Sequence, residues 1–309
     1  MSEGLFELLL AIIGGAVRVG TPFLFVSLGE CLTEKSGRVN LGLEGVLVFS
    51  AMAGFAGSWA TGLWWAGVMA AGFSGALLAL IHGMVCSLPR VNDVAAGIAV
   101  MLLGVGLAIY LGKPLIQPQA AQIPSLPLGD WLGAAPGSPA QAALAINVLF
   151  PLGVLLAFAL SWALRRTAWG LSIRLVGDSA DAARALGMPV GRVRALATAA
   201  GGFLAGIGGS ALSLYFPGSW SEGLSSGQGL IAVALVIFAR WHPMRCLGAA
   251  LLFGGAGALG PALQSQGISG WHDLFNAIPY VLTLLILVWT CSPTRTLDGA
   301  PGELKLNQR

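Results

Sequence analysis

In 309 residues the chain carries 16 Lys and Arg against 13 Asp and Glu, a formal net charge of +3, 56% apolar residues and only 9% charged ones. A soluble domain keeps its surface wet with about 25% charged residues, so this composition excludes an ordinary water-soluble enzyme and indicates a chain solvated by lipid, with no nucleic acid as partner. Its 45 glycines suit close helix packing in a bilayer better than strands.

Charge-free runs mark where the chain can cross. Residues 45–89, 131–164, 195–221, 246–272 and 274–294 hold no Asp, Glu, Lys or Arg, and a helix needs about 20 apolar residues to span the hydrocarbon. Helices satisfy their own backbone groups in lipid, so the reading is all-α: a polytopic transmembrane helical bundle forming one domain over 1–309. About nine spans are expected, near residues 5–32, 41–60, 66–88, 92–112, 143–164, 194–215, 225–241, 246–263 and 273–291, the first interrupted by Arg18. Between the fourth and fifth, the stretch 113–142 is rich in Pro, Gly and Ala, lacks helical periodicity and reads as one long loop.

With the N-terminus outside and the C-terminus inside, 14 of the 16 basic residues fall on inner connections, leaving Arg18 and Lys113. The positive-inside rule selects that orientation, which makes 113–142 external. Cys31, Cys86, Cys246 and Cys291 then lie near the inner face, where disulfides are not expected, and they read as small packing residues. Trp59, Trp64, Trp65, Trp131, Trp220 and Trp271 fall near outer ends and Trp162, Trp169, Trp241 and Trp289 near inner ends, as interfacial belts. The start, MSEGLFELLLAIIGG, has Glu3 and Glu7 where a cleavable signal would be basic.

The largest internal connection, 165–194, holds eight charged residues and has its own order. Ser179 can cap a helix, Asp181 sits in its first turn, Arg184 lies near its end, Gly187 can supply a left-handed C-cap and Pro189 prevents continuation. Such a helix has about seven residues and needs outside support. It either rests on its own protein's inner face or docks into a cytoplasmic partner, burying Ala182, Ala183 and Leu186 with arginines around them.

That segment resembles the coupling loop of membrane subunits of ATP-binding-cassette (ABC) importers. Residues 29–45, GECLTEKSGRVNLGLEG, and 221–243, SEGLSSGQGLIAVALVIFARWHP, are similar to signatures of the simple sugar/nucleoside, branched-chain-amino-acid-like permease family, most closely its nucleoside or purine type. The likeness covers about residues 20–291. Gln228 stands where the family commonly has Arg, and His242 where it commonly has Asn. The resemblance implies a permease subunit forming half of a solute path in a bacterial-type cytoplasmic membrane. Its implied partners are a cytoplasmic ATPase carrying ATP and Mg, a second permease subunit and an extracytoplasmic solute-binding protein.

No G-x-x-x-x-G-K-[ST] occurs, so this chain has no P-loop of its own and no cofactor is expected on it. His82, His242 and His272 are isolated, no H-E-x-x-H or G-x-S-x-G is present, and GGFLAGIGGSAL at 201–212 lies in an apolar span, where Gly201, Gly202, Ala205 and Gly206 read as close helix contacts. Polar groups that a lipid-facing helix would avoid are candidates for the path: Asn40 and Glu44 flanking Gly42, Asn92 and Asp93 opening the fourth span, and Ser225, Ser226 and Gln228 opening the seventh. Their plainer roles are capping for Asn92 or Asp93 and, for Glu44, pairing with Lys35 or Arg38. Simple sugars are the alternative cargo, and a self-sufficient secondary transporter or channel is the alternative of another class.

Overall fold

A computed structural model of the chain describes residues 2–131, 141, 144–215, 217–265, 272–290 and 299–306. In chain order the helices are α1 (Ser2–Lys35), α2 (Leu43–Thr61), α3 (Trp64–Val85), α4 (Asp93–Gly112), a short α5 (Leu128–Trp131), α6 (Leu149–Arg166), α7 (Ala168–Asp178), α8 (Ala180–Ala185), α9 (Val190–Leu214), α10 (Gln228–Phe238), α11 (Pro243–Ser265), α12 (His272–Thr290) and α13 (Gly302–Leu306). Every expected span holds a helix, and among the described residues seven helices are long and apolar enough to cross a membrane. The expected nine are not all matched by this measure: α10 (Gln228–Phe238) is shorter, and of the 19-residue α12 the described apolar part is Ala277–Ile286.

Glycine faces set the spacing of the bundle. Helix α9 is central, packing on α1, α2 and α3, and a Cβ on Gly201 or Gly202 would meet the carbonyl oxygens of Gly29 or Gly75 at 2.5 Å. Helices that close gain dispersion contact along the whole backbone, which replaces the hydrophobic drive that lipid removes. Around these contacts, Phe23, Leu24 and Leu28 of α1 form one core cluster with Leu235 and Val236 of α10 and Phe253 of α11.

One end of the bundle carries Lys35, Arg38, Arg90, Arg165, Arg166 and Arg194 and is called the basic end here; the other carries residues 113–131 and 144–148, the loop end. The loop end is more ordered than its composition suggests. Strands β1 (Ser125–Pro127) and β2 (Ala145–Asn147) pair antiparallel, with Leu126 opposite Ile146. The fifth span therefore begins at Leu149 and not at 143. Asn147 is the cause: fully buried, it donates Nδ2–H to Thr21 Oγ1 at 3.0 Å and accepts the Phe150 N–H at 2.7 Å, which opens α6. Residues 132–140 and 142 of the expected loop, and 143 of the expected fifth span, lie outside the described residues.

Two tryptophans assigned to interfacial belts are buried. Trp220 is 2% exposed and fills the space that Gly112 leaves open. Trp241 is 4% exposed, and its Nε1–H donates to Glu34. Trp59, Trp65, Trp162 and Trp169 are exposed, as a belt requires. The Trp131, Trp271 and Trp289 side chains and Cys291 lie outside the described residues.

Candidate functional site

The seventh expected span is where the fold departs from a simple bundle. After α9 ends at Leu214, residues 217–227 run without a helix through turns in which Gly218, Gly223, Ser226 and Gly227 all have positive φ. Only then does α10 begin, and its eleven residues reach about 16 Å, roughly half the hydrocarbon thickness. The level of its start follows from α2. Gly45 packs on Met101 and Gly104 of α4, and Met101 lies about 12 Å along α4 from Asp93. Since Glu44 holds the start of α10, that helix begins inside the bundle. It ends at the basic end, where Trp241 meets Glu34.

A helix that starts inside a bilayer exposes N–H groups that no water can satisfy. Glu44 supplies the acceptors. Its Oε1 accepts from the Ser225 hydroxyl and from the Gly227 N–H at 3.1 Å, and its Oε2 from the Gly229 N–H at 2.7 Å. The carboxylate also sits where the helix dipole favours negative charge. Gly229 permits the approach, because a Cβ there would lie 2.6 Å from Glu44 Cα.

The other path candidates sort themselves around this break. Ser226 is exposed at φ 47 and its carbonyl accepts from the Tyr280 hydroxyl. Gln228 Oε1 is buried without a hydrogen-bond partner. Asn40 shapes the turn before α2: its Oδ1 accepts the Gly42 N–H at 3.0 Å, and its own N–H donates to Glu30 Oε1 at 2.8 Å. Asn92 and Asp93 are not at the break. Asn92 caps α4 through the N–H groups of Val94 and Ala95, at 2.9 and 3.1 Å, and Asp93 pairs with Arg38. The expected pairing of Glu44 with Lys35 or Arg38 is corrected: the helix start claims the Glu44 carboxylate, Arg38 takes Asp93, and Lys35 donates to the Gly299 carbonyl at 3.2 Å.

At the loop end, a cavity of about 550 Å³ is lined by Gln117, Gln119, Gln122, Tyr215 and Ser219 among others, with no charged side chain among the described lining residues. The Tyr215 hydroxyl donates to the Ala145 carbonyl at 3.0 Å, which fixes one wall to β2.

At the basic end, α7 and α8 form the connection between α6 and α9. Ser179 caps α8, accepting the Ala182 N–H at 3.2 Å. Arg184 donates to Asp181 in an exposed pair, and Gly187 has φ 76. The helix proper is six residues, Ala180–Ala185. Its two faces differ. Ala180 and Ala183 pack on Val176 and Val190 of the same chain, whereas Ala182 faces outward and Leu186 is 71% exposed. Ala183 is thereby corrected from a partner-facing residue to an inward one, because it lies three residues after Ala180 on the same side of the helix.

Sequence reasoning missed α7, whose buried face is Gly170, Ile173, Val176 and Gly177; the Thr167 cap that starts it was visible as a Thr three residues before Gly170. It also missed Glu30, Glu34 and Trp241, buried together beneath α10, because their contacts join distant parts of the chain. The cysteine reading concerns packing: Cys31, Cys86 and Cys246 are free and buried, and burial holds the Cys86 thiol up at about 12.

A profile of the family described as "Branched-chain amino acid transport system / permease component" matches residues 12–287. TsgC13 of Haloferax volcanii, provisionally named a glucose ABC transporter permease, is 36% identical and covers 84% of this chain and 78% of its own. The guanosine ABC transporter permease protein NupQ of Bacillus subtilis is 30% identical over 91% of this chain and 92% of its own. The nucleoside ABC transporter permease protein NupC of Lactococcus lactis is 27% identical over 89% and 90%. The profile takes in Glu44, the start of α10 and the connection between α6 and α9, and with most of its length matched the chain belongs to this permease-component family.

Proposed function

We propose that the chain is the permease subunit of an ABC importer and forms half of a path for nucleosides or related purines. The observation that carries the reading is the uncharged lining of the loop-end cavity. The loop-end cavity offers amides and hydroxyls without charge, and the Glu44 carboxylate inside the bundle is occupied by Ser225, Gly227 and Gly229. Such groups suit an uncharged solute rich in hydrogen-bonding sites better than the separated charges of an amino acid. NupQ and NupC, matched along nearly their whole lengths, support nucleosides; the likeness to TsgC13 supports the second reading, a simple sugar.

In this reading the basic end faces the cytoplasm, placing the N-terminus outside and the C-terminus inside. ATP and Mg are held by a separate ATPase that docks on Ala182, Arg184 and Leu186, a second permease subunit completes the path, and an extracytoplasmic protein delivers the solute. The test is reconstitution in vesicles, alone and with copurified partners, following labelled guanosine, glucose and leucine. ATP-dependent uptake of guanosine is expected. Uptake of glucose alone would move the assignment to sugars, leucine uptake would overturn the neutrality argument, and ion-driven uptake by the chain alone would overturn the importer reading.

A further inference from the structure

We propose that Glu303, on the C-terminal helix α13, is a positioning residue that braces the ATPase-facing helix α8 against the membrane helices. The role rests on the importer reading above; the contacts do not. Six residues cannot hold a helix in water, and among the described residues the buried apolar anchor that α8 itself supplies is the two methyl groups of Ala180 and Ala183, against Val176 and Val190. Met188 and Val193 pack against the same cluster, but contacts made through two methyl groups fix the tilt of a short helix weakly.

Glu303 adds a polar anchor from a distant part of the chain. Its Oε1 accepts the Ala180 N–H at 2.8 Å, across 123 residues, taking one of the N–H groups that a helix start cannot satisfy internally. Its Oε2 lies 3.1 Å from Arg194 Nη2, with the Arg194 side chain 8% exposed and that of Glu303 21% exposed. Arg194 in turn donates Nε–H to the Ser36 carbonyl at 3.0 Å and Nη2–H to that of Val176 at 3.4 Å. One guanidinium in the first turns of α9 thus ties together the chain after α1, the end of α7 and the C-terminal helix.

The tail itself is seated. Leu304 and Ala300 belong to the core cluster that includes Trp241 and Ala239, Gly302 lies against the Asp178 carbonyl with no room for a Cβ, and Lys35 donates to the Gly299 carbonyl. A push on α8 therefore reaches α9 through Glu303 and Arg194, and α9 is packed by its glycine faces on α1, α2 and α3. Without the carboxylate, part of that push is absorbed by rocking on two alanines.

The experiment uses the full chain with its ATPase and binding protein, carrying Glu303→Ala, Glu303→Gln or Glu303→Asp. Two quantities are read: solute accumulated per ATP hydrolysed, with guanosine and glucose as probes, and the distance distribution between spin labels at Ala182 and Leu196, both outward-facing, in the chain without partners. Glu303→Ala is expected to leave ATPase copurification unchanged, lower the transport-to-hydrolysis ratio at least about threefold and broaden the label distances. Glu303→Asp should restore most of both, and Glu303→Gln, which keeps an acceptor for Ala180 but loses the pairing with Arg194, should fall between. Unchanged label distances in a folded Glu303→Ala chain overturn the brace, whatever the chain transports. Broadened distances with an unchanged ratio overturn its role in coupling. If the unaltered chain shows no ATP-driven uptake, the importer reading fails, and the label distances still decide the brace.

Discussion

Glu44, in the first turn of α2, accepts the backbone N–H of Gly229 at 2.7 Å, joining two helix starts that lie 185 residues apart in the chain. The bond makes the two starts depend on each other: α10 can begin inside the bundle because a carboxylate receives its amides, and the carboxylate tolerates burial because those amides and the Ser225 hydroxyl receive it. Glu44→Ala should leave the Gly227 and Gly229 amides unpaired, at about 1–3 kcal/mol for each unsatisfied group. Glu44→Gln, which keeps one acceptor oxygen, should cost less. Thermal unfolding of the purified protein in detergent, with uptake measured in parallel, gives the ranking; a Glu44→Ala chain as stable as the unaltered one would refute this account of the break.

Gly229 offers an independent test of the same contact. A Cβ there would meet Glu44 Cα at 2.6 Å and Glu44 N at 2.7 Å, and both are backbone atoms that cannot swing aside. Gly229→Ala should therefore destabilise by about 1–3 kcal/mol, the usual cost of overpacking. Gly248→Ala is the control, since a Cβ there meets nothing within 4 Å, and it should be neutral or slightly stabilising. Equal melting temperatures for the two variants would show that α10 can shift away from α2.

How much of this was legible in the sequence depends on how far each signal reaches along the chain. Helix positions were legible because charge-free runs are local, and the caps at Asn92 and Ser179 were legible because a cap and its N–H groups are two or three residues apart. The half-length of α10 was not. Residues 225–241 are as apolar as a span, and the signal for a late start was the series Gly218, Gly223 and Gly227, which composition alone assigns to close packing. Glu44 and Glu303 were hidden for a related reason: each satisfies amides far away in sequence, and periodicity carries no information about such pairings. Glu44 nevertheless stood out as a charge where a membrane helix begins, which is why it was among the candidates.

Leu186, just past the end of α8, and Ala183, inside it, differ sharply in exposure and separate docking from folding. Leu186 is 71% exposed and Ala183 is 1% exposed. Leu186→Asp should leave the melting temperature unchanged while ATPase copurification and uptake fall, because the new charge would be desolvated only in a complex. Ala183→Asp should destabilise the isolated chain, since its carboxylate would be forced against Val176 and Val190. Full copurification and uptake with Leu186→Asp would mean that the exposed face of α8 makes no partner contact.

His242 gives the chain a dependence on pH with a definite sign. It sits just before α11, where its carbonyl accepts the Arg245 and Cys246 N–H groups, and its Nδ1 is buried without a hydrogen-bond partner. Burial lowers its pKa, and the neighbouring positive charges of Arg165, Arg245 and Lys35 lower it further. The unfolded chain, with an imidazole titrating near pH 6.5, then binds more protons than the folded one as the medium is acidified. Stability from this group is therefore fully present above about pH 6.5 and is lost as pH falls through the lower folded value. His242→Asn removes the titrating group while keeping a polar side chain beside Pro243. Melting temperatures measured between pH 8 and about pH 5 should decline more steeply at the acid end for the unaltered chain than for His242→Asn, and raised salt should shrink the difference by screening the three cations. Parallel profiles for the two chains would show that His242 titrates alike in the folded and unfolded states.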